Sequence, residues 1–576
     1  MEEMKLTGYA SIDKPWLKYY PEEASNAPLP ECTIYEYLVK NNKNHLGDIA
    51  LDYFDRKITY RTLLENIDKA ANSFSTLGLV RGDVVIMATV TIPETIYAFY
   101  ALNKIGVVPN MVDPRTSVDG LREYIKEVDA KYVLALDACY PKMLEASKGT
   151  NVKKIVVTSP ADSLPVVKKA ALTIANRIKE GKQQPAEYAI CWKDFIKTGE
   201  GTTATTVPYE KDTCCVIVHT GGTTGTPKGV MLSNENLNAS VVQCDKSGFD
   251  FQRHHKWLGV MPPFIAYGIG NGLHLPLSIG MTLIVLPKFD PNKYDELLLK
   301  YKPNHIAGVP SHYNTIIHSK KLKNTDLSFL LSPIVGGDGA EVHFEEEVNQ
   351  FLNSHNCPTN LIKGYGMTEV CAAISATARN EFNKLGSVGI PFTHSVMGVF
   401  EDGKELLIGQ TGEICMRAPH VMMGYYGNEA ETTHVLKKHD DGHVWVHSGD
   451  LGHIDEDGCV FIQGRIKRMI VRFDGFKVYP TLIESVVVTH PAVKACCTVG
   501  APDKTQSQGK LPLVYAVLDP AFSGKEAEIR NELVELCQKE LPEYAQPTDF
   551  RFKEALPLTA IGKVDYRALE KEAEKV

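Results

Sequence analysis

A chain of 576 residues is too long to close around one apolar core and calls for at least two domains. Its apolar fraction of 44% and charged fraction of 23% fit a packed globular protein and exclude a disordered one. A formal charge of −8 argues against a general nucleic-acid binder.

The N-terminus, MEEMKLTGYASIDKPW, places acids and polar residues where a secretory leader needs a basic start and an apolar run, so the expected compartment is the cytoplasm. Further on, DVVIMATV from Asp83, KYVLALD from Lys131 and KKIVVTS from Lys153 read as buried strands separated by helical patterns. That alternation predicts an α/β domain with a largely parallel sheet. Between Ser163 and Glu187, Val167, Ala171, Ile174, Ala175 and Ile178 recur at helical spacing among Lys168, Lys169, Arg177 and Lys179. Such a helix covers a sheet or rests weakly on a membrane surface. No transmembrane segment is expected: the longest apolar stretch, LHLPLSIGMTLIVLP from Leu273, is interrupted by His, Ser, Gly and Pro and is too short for a bilayer. The 13 cysteines show neither zinc-ligand spacing nor the density of a disulfide-stapled domain.

The run CCVIV from Cys214 reads as a strand that delivers the chain into HTGGTTGTPKGV. Gly221, Gly222 and Gly225 let backbone N–H groups approach an anion, Thr220, Thr223, Thr224 and Thr226 supply hydroxyls, and Lys228 supplies a mobile charge. The loop is a phosphate cradle. It is not a Walker loop, because Pro227, Lys228 and Gly229 are followed by apolar residues before Ser233 can cap a helix. From Met469 onward, short strands (MIVRF, KACCTVG, LPLVYAVL, DFRFKEA) alternate with helices, the first opening at Pro480. This reads as a separate α+β domain.

HTGGTTGTPKGV, VGGDGAE (from Val335), GYGMTE (from Gly364), HSGDLG (from His447), GRIK (from Gly464) and PLTAIGKVD (from Pro557) follow one another in an order that resembles the adenylate-forming, or AMP-binding, superfamily. That superfamily includes acyl-CoA synthetases, firefly luciferase and the adenylation domains of peptide synthetases. The resemblance, to the acyl-CoA synthetase branch, runs from about residue 30 to 570 and departs from the common phosphate-loop form mainly at Thr220 and Gly222. It implies a large N-terminal domain, 1–466, with mixed, largely parallel sheets, and a small mobile α+β domain, 467–576, hinged at Lys467.

By the same resemblance, ATP is held by the phosphate loop with Lys228, by Gly337 and Asp338, by Gly364, Tyr365, Gly366, Met367 and Thr368, and by Asp450, Arg465 and Lys563. Tyr365 offers its face to adenine, Thr368 its hydroxyl to the α-phosphate, Asp450 its carboxylate to both ribose hydroxyls, and Glu369 an oxygen to Mg²⁺. Asp338 departs from the residues usual at its position, which leaves its role open. Lys228, Thr368 and Lys563 are the catalytic residues implied. FDGFKVYPTLIE from Phe473 resembles the loop that serves thioester formation with coenzyme A, with Gly475, Phe476 and Lys477 at its centre. PPFIAYGIGNG from Pro262 aligns with the wall of the acyl pocket, where Phe264, Ile265, Tyr267, Gly268 and Gly270 describe an apolar, roomy tunnel. Ile265 stands where amino-acid-activating relatives carry an aspartate, and an unpaired buried ammonium is costly, so the expected substrate is an apolar fatty, aryl or polycyclic acid. The implied activity is ATP-dependent acid–CoA ligation through an acyl-adenylate. Two other readings stay open: an acyl-AMP ligase that loads a free-standing carrier protein or forms an amide, and a non-catalytic binding protein. Oligomeric state is not legible.

Overall fold

The computed structural model describes residues 6–165, 188–220, 227–506, 508–558 and 564–575. The basic amphipathic segment, the loop residues 221–226 and Lys563 lie outside the described residues. The three apolar runs before the loop form the strands Val84–Ala88, Tyr132–Leu136 and Lys154–Thr158, which lie side by side in parallel. Val108–Val112, buried throughout, joins them to Cys214–His219, also in parallel. Strands so enclosed need helices on their faces, and the wholly buried helix Pro93–Lys104 packs there beside Tyr60–Ser75. Cys214–His219 then turns back through the phosphate loop into the antiparallel strand Gly229–Ser233. Ser233 caps the following helix, Asn234–Lys246, in a reciprocal hydrogen-bonded box with Asn236.

A second sheet has six parallel strands, in the order Ile362–Tyr365, Ser332–Gly336, His305–Gly308, Lys256–Gly259, Thr282–Val285 and Ile49–Tyr53, with antiparallel strands at both edges. VGGDGAE and GYGMTE emerge from neighbouring C-terminal strand ends, the usual location for ligands in such sheets. Behind Ile362–Tyr365, the ammonium of Lys363 is buried against Glu345 and also donates to Lys384 O at 3.0 Å. A third, antiparallel sheet contains Val396–Glu401, Gly412–Arg417, Val444–Ile454 and Val460–Arg465.

Beyond Arg465 the chain makes one 3₁₀ turn, Ile466–Arg468, and begins a new apolar core at Ile470. That core is closed by the strands Val493–Pro502, Lys510–Leu518 and Asp549–Lys553 and by the helices Pro480–Val487 and Glu526–Glu540. The molecule is thus a large α/β domain followed by a small α+β domain. Thr481 of the small domain donates to Gln463 O, and Arg468 pairs with Glu484 at 2.5 Å.

Glu341, at the start of the helix Val342–Ser354, faces this junction. Burial, reinforced by the charges of Glu484 and Asp338, raises its carboxyl to about 7. A carboxyl shifted upward supports the fold while protonated; that contribution is complete below the ordinary carboxylate range and is lost as pH rises through about 7. Glu341→Gln, uncharged throughout, is therefore expected to melt above the parent at pH 8 and to converge with it toward pH 5. Melting curves that stay parallel across this range would show that Glu341 ionises freely.

Candidate active site

Asp450 is buried, at 4% exposed, and links the second sheet to the third. Tyr365 Oη donates to its Oδ2 at 2.7 Å, and Arg465 Nε to its Oδ1 at 2.8 Å. The second pairing follows from register, because Asp450 and Arg465 lie directly opposite each other on antiparallel strands. Burial first, and the Asp450 charge second, hold the Tyr365 phenol well above its ordinary pKa, so it remains a donor. Burial works against the Arg465 charge, but Asp450, Tyr365 and Glu369 outweigh it. Each carboxylate oxygen has two lone pairs and can accept more than one hydrogen bond. The sequence anticipated Tyr365 as a face for adenine; its hydroxyl is here committed to Asp450.

Glu369, in the short turn Thr368–Val370, is 7% exposed and accepts from Tyr425 Oη at 2.6 Å. Gly366 allows this turn to fold back on itself, since a Cβ there would fall 1.9 Å from Ala372 O. Met367 O receives the N–H groups of Val370 and Ala372 as the turn closes. The same Tyr425 ring lies 4.9 Å from the Lys228 ammonium, which is paired with Glu431. Strand Gly424–Tyr425 pairs with Gly229–Ser233, which is what brings Tyr425 beside the end of the phosphate loop. Thr220 closes the loop's base: its N–H donates to Lys228 O at 3.0 Å and its hydroxyl accepts from Lys228 N at 3.1 Å. A buried hard-oxygen donor beside a lysine and a phosphate loop fits Mg²⁺ accompanied by polyphosphate. Tyr425 and Glu431 were missed by sequence reasoning, because they belong to no motif and meet the loop across about 200 residues, with Lys228 and Glu431 separated by 203.

Other assigned residues separate into groups. Gly364 lies opposite Gly336 in the strand register, and Gly337 adopts φ +83°. Asp338 is exposed and accepts from Gly339 N at 3.0 Å, within its own loop. In the segment aligned with the acyl pocket, Phe264 is buried and Ile265 half-buried, and Tyr267 begins a π-helical stretch to His274. Burial leaves the Tyr267 hydroxyl without a partner, near Gly336. Two glycines of this segment sit against neighbouring backbone. A Cβ at Gly268 would lie 1.7 Å from Pro262 O, so this glycine admits the neighbouring backbone, whereas one at Gly270 would meet Cys371 O at a tight 3.2 Å. In the small domain, Gly475 occupies a hairpin between Ile470–Val471 and Lys477–Val478 with φ +83° and open space where a Cβ would be. Phe476 stacks on Tyr544 at 4.8 Å. Lys467, Arg472, Gly475 and Lys510 line one cleft of about 700 Å³. No helix among the described residues is long and apolar enough to cross a membrane.

The family described as AMP-binding enzyme matches residues 38–426, and the C-terminal domain of the same enzymes matches 482–563. A long-chain-fatty-acid–CoA ligase of Bacillus subtilis is 29% identical over 97% of this chain and 98% of its own length. A probable 4-coumarate–CoA ligase of Dictyostelium discoideum is 27% identical over 95% of this chain and 96% of its own. The crystal structure of the anthranilate CoA ligase AuaEII in complex with anthranoyl-AMP superposes with a TM-score of 0.81 at 20% identity, covering 96% of this chain and 99% of that one. The sequence resemblance and the two-domain fold thus agree with the match across most of the chain: this protein belongs to the AMP-binding enzyme family.

Proposed function

We propose that the protein is an AMP-forming acid–CoA ligase for an apolar carboxylic acid. The observation that carries the reading is the Asp450 carboxylate, fixed between Tyr365 and Arg465, with Glu369 near enough for its charge to act on Arg465 and Tyr425 linking Glu369 to Lys228. This is the charge pattern a nucleoside triphosphate requires: an acceptor for ribose hydroxyls, a cation for phosphate and a carboxylate for the accompanying metal. The named activities of the fatty-acid and coumarate relatives favour coenzyme A as the acceptor, and Ile265 favours an uncharged acyl group.

In the first half-reaction a carboxylate oxygen of the acid attacks the α-phosphorus, the bond to the β-phosphate oxygen breaks, and pyrophosphate leaves with the electron pair. No general base is needed, since the nucleophile is already an anion. The obstacle is repulsion between two anions, which Lys228, the loop N–H groups and Lys563 reduce. Glu369 would hold Mg²⁺, which would supply further positive charge at the phosphates. In the second half-reaction the thiol sulfur bonds to the acyl carbon, AMP leaves and the thiol proton passes to solvent. Rotation of the small domain about Lys467 withdraws Lys563 and presents the Gly475 hairpin, so one site serves both steps.

ATP–pyrophosphate exchange across an acid panel tests the reading. Exchange is expected with fatty or aryl acids and to be at background with free α-amino acids, followed by thioester on addition of CoA. Exchange confined to amino acids would overturn the substrate class; adenylate without thioester would overturn the acceptor.

A further inference from the structure

We infer that Glu413 and His447 are positioning residues that clamp the turn presenting Asp450, and so set the recognition of the ribose hydroxyls. The inference rests on the proposed reading of Asp450 as their acceptor. It starts from an irregularity in the third sheet. Glu413 pairs with Leu451 and Cys415 with His447, so two residues advance on one strand while four advance on the other. The surplus bulges out as Ser448–Gly449–Asp450, with Gly449 left-handed at φ +69°. A glycine in a bulge has alternative conformations available and does not by itself hold the next side chain in place.

The bulge is held by side chains from the opposite strand and its neighbours. Glu413 Oε1 accepts the Gly449 N–H at 3.0 Å, and Glu413 Oε2 accepts from His447 Nδ1 at 2.8 Å. His447 Nε2 meets His439 Nε2 at 2.8 Å, which fixes the ring from its far side. Ser448 Oγ donates to Ile414 O at 2.6 Å and accepts the Asp450 N–H at 2.9 Å. Arg465 Nη1 donates to Ser448 O at 2.9 Å, so the same guanidinium that pairs with Asp450 also grips the bulge. Glu413, Cys415 and His447 place three metal-ligand atoms within 4.8 Å of one another. The Glu413 oxygens are nonetheless engaged by Gly449 and His447, which makes the cluster a satisfied hydrogen-bonded clamp. Burial opposes the Glu413 charge, but His447 and the Gly449 N–H outweigh it and hold the carboxyl below its ordinary pKa.

A clamp of this kind acts on one part of the nucleotide, and 2′,3′-dideoxy-ATP, which lacks both hydroxyls, isolates it. Hydrogen bonds to a charged acceptor give the parent a preference for ATP of about 10- to 100-fold in kcat/KM for pyrophosphate exchange. Glu413→Ala should reduce that preference to within about threefold while leaving kcat/KM for the dideoxy nucleotide near the parent value. Glu413→Gln should retain most of it, because the amide oxygen still accepts from Gly449 and the His447 tautomer can reverse. His447→Leu keeps the Gly449 contact but frees the second oxygen; an intermediate preference is expected, and this variant carries the test if Glu413→Ala does not fold. Equal losses for both nucleotides, or an unchanged ratio, would show that Glu413 does not act through the ribose. Asp450→Ala is the control: if it leaves the ratio intact, the ribose reading itself fails and the clamp falls with it, whereas collapse in Asp450→Ala alone removes only the clamp.

Discussion

Lys363→Ala should destabilise the large domain by about 3–5 kcal/mol, more than any surface substitution in the chain. Lys363 and Glu345 are both almost fully buried, with side chains 5% and 1% exposed. Burial lowers the Lys363 pKa, opposed by Glu345, so the ammonium is held there at a cost that its partner offsets. Glu345 Oε2 in turn accepts the Gly386 N–H at 3.0 Å. Removing the lysine leaves a carboxylate in the interior with one oxygen uncompensated, and the loss greatly exceeds that of an exposed ion pair. The position matters for function, because Lys363 lies one residue before Gly364 on the strand that ends at Tyr365. Urea denaturation followed by tryptophan fluorescence would measure the loss, and replacing both partners with methionine should recover most of it. A single variant within 1 kcal/mol of the parent, roughly the value of an exposed pair, would show that the pair is hydrated.

Motif order picked out the residues of the candidate site, because each motif is a local solution to a local problem. Gly366 permits a turn that folds back on Ala372, and the strand leading into Thr220 could be read from CCVIV alone. What the sequence did not reveal are contacts between segments far apart along the chain. Glu413 lies 34 residues from His447, and Tyr425 lies 56 from Glu369; neither separation carries a periodic signal. Gly268 shows the converse failure. A glycine beside an apolar run reads equally well as space for a ligand or as room for another backbone, and only the position of Pro262 O decides it. Gly475 carries a similar lesson: its open surroundings fit a passage for a pantetheine arm, yet its left-handed φ alone is enough to require glycine. A bulky substitution there would mix steric block with backbone strain, so the two half-reactions are better separated through Lys563.

Lys563→Ala is expected to lower the adenylation rate on the order of 10²–10³-fold while sparing thioester formation from preformed acyl-AMP. The first part follows from electrostatics: a cation placed between the attacking carboxylate and the α-phosphate stabilises charge that both reactants bring to the transition state, and losing one such contact typically has this magnitude. Lys563 itself lies outside the described residues, and only its flanks are described. Leu558 and Val564 pair across it, and Asp565 N donates to Pro557 O at 2.8 Å. Tyr566, three residues on, lies under the Arg468 guanidinium at 5.3 Å, one turn from Arg465 and its Asp450 partner. The second part follows from the proposed domain rotation, under which a lysine withdrawn from the site before the thiol enters cannot affect the later step. Pyrophosphate exchange reports the first half-reaction, and synthetic acyl-AMP with CoA reports the second in the same variant. Parallel losses in both assays, with the variant folded, would place Lys563 in the site throughout and remove the case for a hinge at Lys467. A loss confined to exchange requires the small domain to occupy two positions, since a fixed Lys563 close enough to assist the carboxylate would also lie in the path of the thiol.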